Sequence, residues 1–136
     1  MLALRVCIDV DSLPRALAFY TAALGLTPGR RKGEDWVELL GASSPIDLLA
    51  CPAGSAPVPG APAVRDYGRH WTPVHLDFTV TDLEAAVQRA RDAGATLERG
   101  PLERPWGRMA VLADPFGHGL CLLEMSGAGY DALADS

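Results

Sequence analysis

The sequence has no charged amino-terminal region leading into an apolar one, and none of its apolar runs approaches the roughly 20 residues that a membrane span requires. Neither a secretion leader nor a spanning helix is expected, and the expected location is the cytoplasm. Extended clusters of Lys and Arg are missing too, and the net charge is -5. Nucleic acid is excluded as a partner on that ground, because neutralising phosphates takes concentrated positive charge. Cysteine is scarce. Cys7, Cys51 and Cys121 are odd in number and show no CxxC spacing, which argues against a disulfide framework or a zinc knuckle and for buried thiols on strands.

What is present is 136 residues of 49% hydrophobic composition, one domain's worth of chain with enough apolar surface for a core. The most legible stretch runs from Pro73 to Ala95. Leu76, Phe78 and Val80 alternate with His75, Asp77 and Thr79, the period-2 pattern of a strand with one buried face. A helix follows. Thr81 and Glu84 have capping-box spacing, Leu83, Val87 and Ala90 recur at helical intervals, and Gly94 supplies a left-handed stop.

The same strand and helix recur at the amino terminus with an offset of 70: Val10 falls on Val80, Leu13 on Leu83, Ala16 on Ala86, Ala23 on Ala93 and Trp36 on Trp106. An offset of 74 superposes residues 46–49 on residues 120–123, so the second copy is expected to carry a small insertion before its last strand. The chain is read as an internal duplication within a single domain spanning 1–136. Module one is placed at 3–51, a linker at 52–72, module two at 73–125 and a tail at 126–136.

In order, module one reads as a strand over 4–10, a helix capped by Asp11 or Ser12 with Pro14 in its first turn, a short edge strand after Gly25, and strands at 36–40 and 46–51. The buried stripe of its helix is expected to be Leu13, Leu17, Tyr20 and Leu24. The linker is rich in Pro, Gly and Ala, but it ends in an aromatic and basic cluster of Tyr67, Arg69, His70 and Trp71 that packing or a ligand would explain. Module two repeats the order, with a strand at 74–80, a helix at 82–93, a short strand at 96–99, a loop through Pro105, and strands at 106–113 and 120–124. Residues 114–119 form a tight turn, in which His118 is a turn residue before it is an acid or base, and the tail is expected to fray or pack loosely.

Two strand-helix-three-strand modules, FY followed by LGL in the first helix, and DPFGHGLCLLE near the end resemble the vicinal oxygen chelate superfamily over residues 4–124. That superfamily includes glyoxalase I, bleomycin-resistance proteins, fosfomycin-resistance enzymes and extradiol dioxygenases. The resemblance implies an α+β fold of two tandem βαβββ modules whose curled mixed sheets form one cup holding a metal, a ligand or both. It also implies a homodimer, sometimes with exchanged modules.

The family's metal enzymes take ligands from the first and last strands of each module, and those places fall on Arg5, Asp47, His75 and Cys121. Only His75 is of the usual type. A guanidinium offers no lone pair and repels a nearby cation, so Arg5 argues against the standard centre. A weaker site from Asp47, His75 and Cys121 stays open, as does the reading in which Arg5 supplies the positive charge itself, pairing with Asp47 or gripping an anionic group.

Strand alternation adds Cys7 and Asp9 to Arg5, Leu49 to Asp47, Asp77 and Thr79 to His75, and Leu123 to Cys121, while Glu124 points to the opposite face. The expected ligand-binding set is therefore Arg5, Cys7, Trp36, Asp47, Leu49, His75, Asp77, Trp106 and Cys121. Trp36, Trp71 and Trp106 are candidates to stack on a planar ligand or to pack. The function read from this is a small-molecule-binding protein of the glyoxalase and bleomycin-resistance type, holding an aromatic or anionic ligand in a metal-free cup, in a sequestration or resistance role. The alternative is a metal-dependent lyase, isomerase or dioxygenase using His75 and Asp47 with a divalent metal. A metal-free enzyme with His75 as general base lies between.

Overall fold

The computed structural model describes residues 1–135. It divides into two compact units, the first from Met1 to Gly68 and the second from Arg69 onward, so the boundary falls inside the stretch read as a linker. Among the described residues no helix is long and apolar enough to cross a membrane.

The first unit contains β1 (Val6–Val10), α1 (Leu13–Leu24), β2 (Thr27–Lys32), β3 (Trp36–Leu40) and β4 (Ile46–Ala50). The sheet order is β1-β4-β3-β2, with β1 parallel to β4 and the remaining pairs antiparallel. The Ser12 side chain accepts from the Arg15 backbone N–H to start α1, Pro14 sits where a missing N–H costs nothing, and Gly25 at φ 68 ends it. The buried side of α1 is Leu13, Ala16, Phe19, Tyr20 and Ala23, which bears out Leu13 and Tyr20 of the expected stripe but not Leu17 and Leu24. Small alanines let the helix lie close to the sheet, which turns Phe19 inward and leaves Leu17 and Leu24 half-buried at the rim. The apolar side of the sheet, Val10, Val37, Leu39, Ile46 and Leu48, is buried to 2% exposure or less.

The second unit repeats this βαβββ order with β5 (Leu76–Thr79), α2 (Leu83–Asp92), β6 (Thr96–Arg104), β7 (Gly107–Ala113) and β8 (Gly119–Met125) in the sheet order β5-β8-β7-β6. Its helix buries Leu83, Ala86, Val87 and Ala90, and Gly94 follows at φ 120. Asp82, not Thr81, is the cap, accepting from the Ala85 N–H. Glu84 is therefore one residue too early for a capping box, and its carboxylate pairs with Arg108 instead. β6 extends through the segment expected to be a loop. Gly100 at φ 98 and two register shifts absorb the irregularity that the Gly-Pro pair signals, so the strand bends without ending.

The two ladders correct the repeat alignment. Leu48 and Leu122 hold equivalent places, paired with Val37 and Ala110, so β3 maps onto β7 with an offset of 73 and Trp36 corresponds to Met109, not to Trp106. Most of the insertion precedes β7. It lengthens the β6–β7 hairpin and carries Trp106 past the strand end, where its ring meets Tyr130 edge-on at 5.2 Å. The tail that holds Tyr130 forms a 3-10 turn over Gly129–Leu133, more order than its composition implies.

Candidate functional site

In the first unit, the side of the sheet away from α1 carries the polar residues. In-register pairing places Cys7, Asp47 and Glu38 in one row and Asp9, Leu49 and Trp36 in the next. Arg5, just before β1, donates from Nε to Asp47 Oδ2 at 3.0 Å and from Nη2 to Asp47 Oδ1 at 2.7 Å, with a further bond from Nη2 to Glu38 Oε2 at 2.8 Å. Arg30 grips the same glutamate, Nε to Oε1 at 3.1 Å and Nη2 to Oε2 at 2.7 Å. The structure thus brings Arg5, Cys7, Trp36, Asp47 and Leu49 onto one face, and it selects the pairing of Arg5 with Asp47 over an open guanidinium fork.

Glu38 is the residue that sequence reasoning missed. It lies two positions after Trp36 on an alternating strand, and that spacing is the signal that would have found it. Its carboxylate is 5% exposed, and Arg30 first, then Arg5, pull its pKa from 4.5 down to about 2. Asp47 is lowered chiefly by Arg5, with burial opposing and the Trp36 indole N–H adding a bond. Folded-state pKa values depressed in this way stabilise the fold above the ordinary carboxylate range, and that contribution disappears as pH falls through the folded values. The urea midpoint is expected to hold above pH 4.5 and to decline between 4.5 and about 2, with a shallower decline in Glu38→Gln. An identical decline in the variant would show that this network is not its source.

In the second unit the corresponding face carries His75, Asp77 and Thr79 beside Cys121 and Leu123, with Asp77 directly opposite Cys121. Cys121 is 5% exposed, and burial, reinforced by Asp77, pushes its thiol up to about 11. It packs with Leu123 and Trp106 against Met109, Val111 and Met125. Trp106 is 8% exposed, and Trp71 is 81% exposed. Cys51 is buried as expected, whereas Cys7 is exposed; Cys121 is buried in the cluster with Trp106 and Leu123.

A hollow of about 230 Å³ opens on this face, lined by Arg69, Trp71, Thr72, His75, Met109, Val111 and Cys121 among others. Its one arginine is held in place. Arg69 donates to both Glu98 oxygens at 2.6 and 2.8 Å and to the Gly117 carbonyl at 3.2 Å, and its guanidinium lies over Gly119, where a Cβ would come within 3.0 Å of Nη2. His118 is a turn residue: its backbone N–H bonds Asp114 Oδ1 at 2.9 Å, and its ring meets His70 edge-on. The cluster at the end of the linker splits between the units. Tyr67 donates to the Cys51 carbonyl at 2.7 Å in the first, while Arg69 and Trp71 line the hollow in the second.

The family model of the glyoxalase-like domain matches residues 5–123, nearly the whole of the described chain. The chain belongs to the glyoxalase-like domain family. This glyoxalase-like chain is 36% identical over 128 residues to the anthracycline biosynthesis protein DauV of Streptomyces sp. strain C5, covering 92% of this chain and 42% of that one. It spans about two fifths of the length of the curated relatives it matches across most of its residues. Among solved structures it shares its fold with TnmS3, an antibiotic binding protein from Streptomyces sp. CB03234, at TM-score 0.64 and 21% identity over 93% of this chain and 97% of that one. It also shares it with the fosfomycin resistance protein FosX of Listeria monocytogenes, at TM-score 0.69 and 16% identity over 93% and 94% of the two chains. The family match over residues 5–123, with this shared fold, supports membership of the vicinal oxygen chelate superfamily. The family's metal centre does not fit the first module, where both Asp47 oxygens are bound by a guanidinium that keeps its charge at any ordinary pH.

Proposed function

We propose that this chain binds a small planar aromatic molecule, without a metal held by Asp47, in a sequestering role. The observation that carries the reading is the hollow of the second unit, where exposed Trp71 stands beside an apolar wall of Met109 and Val111. Of the two ligand classes read from the sequence, the aromatic one is favoured. Arg5, Arg30 and Arg69 each already hold a carboxylate of the chain itself, so an anionic ligand would have to displace an internal partner.

At about 230 Å³ the hollow falls below the roughly 300 to 1,000 Å³ of pockets that enclose a drug-sized ligand. It suits one ring, or one edge of a fused ring system whose remainder lies along Trp71. The names of the relatives support fused aromatic natural products as the class, since DauV is an anthracycline biosynthesis protein and TnmS3 an antibiotic binding protein. The metal-dependent reading needs Asp47 as a ligand and finds it paired with Arg5.

Titration with a hydroxyanthraquinone is expected to quench tryptophan emission saturably, and Trp71→Ala to weaken binding about ten-fold, since one aromatic contact contributes up to roughly 1.5 kcal/mol. Flat emission together with no heat of binding would remove the proposal.

A further inference from the structure

The aromatic-binding reading uses His75 and Cys121 only as walls, yet together with Asp77 they form a tighter arrangement. One nitrogen, one carboxylate oxygen and one sulfur lie within 4.8 Å of one another. The topology produces this grouping. Asp77 on β5 and Cys121 on β8 are direct partners in a parallel ladder, and His75 lies two residues before Asp77, so alternation turns all three to one face. His75 Nδ1 is already 3.6 Å from Asp77 Oδ1.

The contrast with the first module is chemical. There each carboxylate has an arginine on it, while among the described residues no arginine or lysine pairs with Asp77. Mixed nitrogen, oxygen and sulfur donors suit borderline cations such as zinc. Three protein ligands leave a fourth position for water or a ligand atom. His75 and Asp77 are exposed, which gives the cation a way in, and Cys121 is buried beneath them.

We propose that His75, Asp77 and Cys121 form a binding site for a zinc-like divalent cation, with the open coordination position facing the hollow. As the metal-sulfur bond forms, the thiol proton leaves to solvent. The site lies wholly within the second unit. It takes Asp77, which is not among the family's ligand places, and makes no use of Asp47. It goes beyond the aromatic-binding reading, and either can fail alone.

Cobalt(II) added to the full chain tests it, because a thiolate ligand produces a sulfur-to-cobalt charge-transfer band in the near ultraviolet. One equivalent is expected to bind, with a band that zinc abolishes by displacement and that Cys121→Ser lacks. Asp77→Asn and His75→Ala are each expected to weaken binding at least about ten-fold, a loss of about 1.4 kcal/mol. Asp47→Asn is expected to leave the band and the affinity unchanged. No band at all, a band that survives Cys121→Ser, or equal weakening by Asp47→Asn would overturn the assignment. Circular dichroism of each variant separates a lost ligand from a lost fold, and aromatic binding measured without metal keeps this result separate from that of the aromatic titration.

Discussion

Made in a Cys121→Ser background, Arg5→His is expected to turn the polar face of the first module into one that takes up a divalent cation, raising zinc or nickel affinity in equilibrium dialysis at least about ten-fold over that background, a gain of about 1.4 kcal/mol. The guanidinium of Arg5 holds both oxygens of Asp47 and one of Glu38, and those two carboxylates are direct cross-strand neighbours. Arg30 stays on Glu38 when Arg5 is removed, so Asp47 is the group released. A neutral imidazole in place of the guanidinium adds a lone pair where there was a fixed charge. The folded state loses stability in the exchange, because nearly buried Asp47 is left without its arginine, and zinc should restore part of that loss by binding the native form. A variant that binds no more metal than that background would show that Arg5 is not what keeps cations away.

Gly107→Ala is expected to be among the most damaging single substitutions in the chain, costing about 3 kcal/mol or more. Gly107 has φ 151, and a Cβ there would lie 1.9 Å from the Glu124 carbonyl oxygen and 3.0 Å from the Met125 Cα. Every one of those neighbours is backbone, so no side chain can swing aside. Strand β8 would have to move off β7 where Gly107 pairs with Met125 and where the Ser126 N–H bonds the Trp106 carbonyl at 3.0 Å. Trp106 would lose its packing on Cys121 and Leu123, so its near-ultraviolet dichroism should weaken along with the unfolding midpoint. Gly54→Ala is the control, since its φ of 82 brings strain but nothing lies within 4 Å. Equal losses in the two variants would mean that the close approach of β7 and β8 is not what excludes a side chain.

Strand alternation was legible from the residues because it depends only on the pleat. It put Cys7 with Asp9 and Asp47 with Leu49, and the ladders bring those two pairs onto one face with the apolar residues on the other. The repeat was legible wherever a residue had a fixed structural task, as with Val10 and Val80 or Leu48 and Leu122. It misled where two tryptophans matched by composition alone, since Trp36 is a strand residue and Trp106 lies beyond a lengthened hairpin.

What stayed hidden depended on partners distant in the chain. Glu38 becomes a hub only when Arg5, just before β1, and Arg30, on β2, reach it, and no local pattern records that. Thr81 and Glu84 had the right spacing for a cap, but Arg108, distant in sequence, claims the glutamate. Gly100 and Pro101 are ordinary loop signals that a strand can accommodate as a bend once a neighbouring strand is there to hold it.

The two-sided pleat also says how such a protein can change over generations. After a duplication both copies start identical, and here the positions facing the helices remain interchangeable in kind: Ile8 beside Phe78, Leu48 beside Leu122, Val10 beside Val80. On the other side the copies have parted, Arg5 against His75, Cys7 against Asp77, Asp47 against Cys121. Mutations on one face need not be answered on the other, because alternate residues never share neighbours. A lineage with this architecture can therefore try new ligands in one half while the other half, and both cores, are left undisturbed.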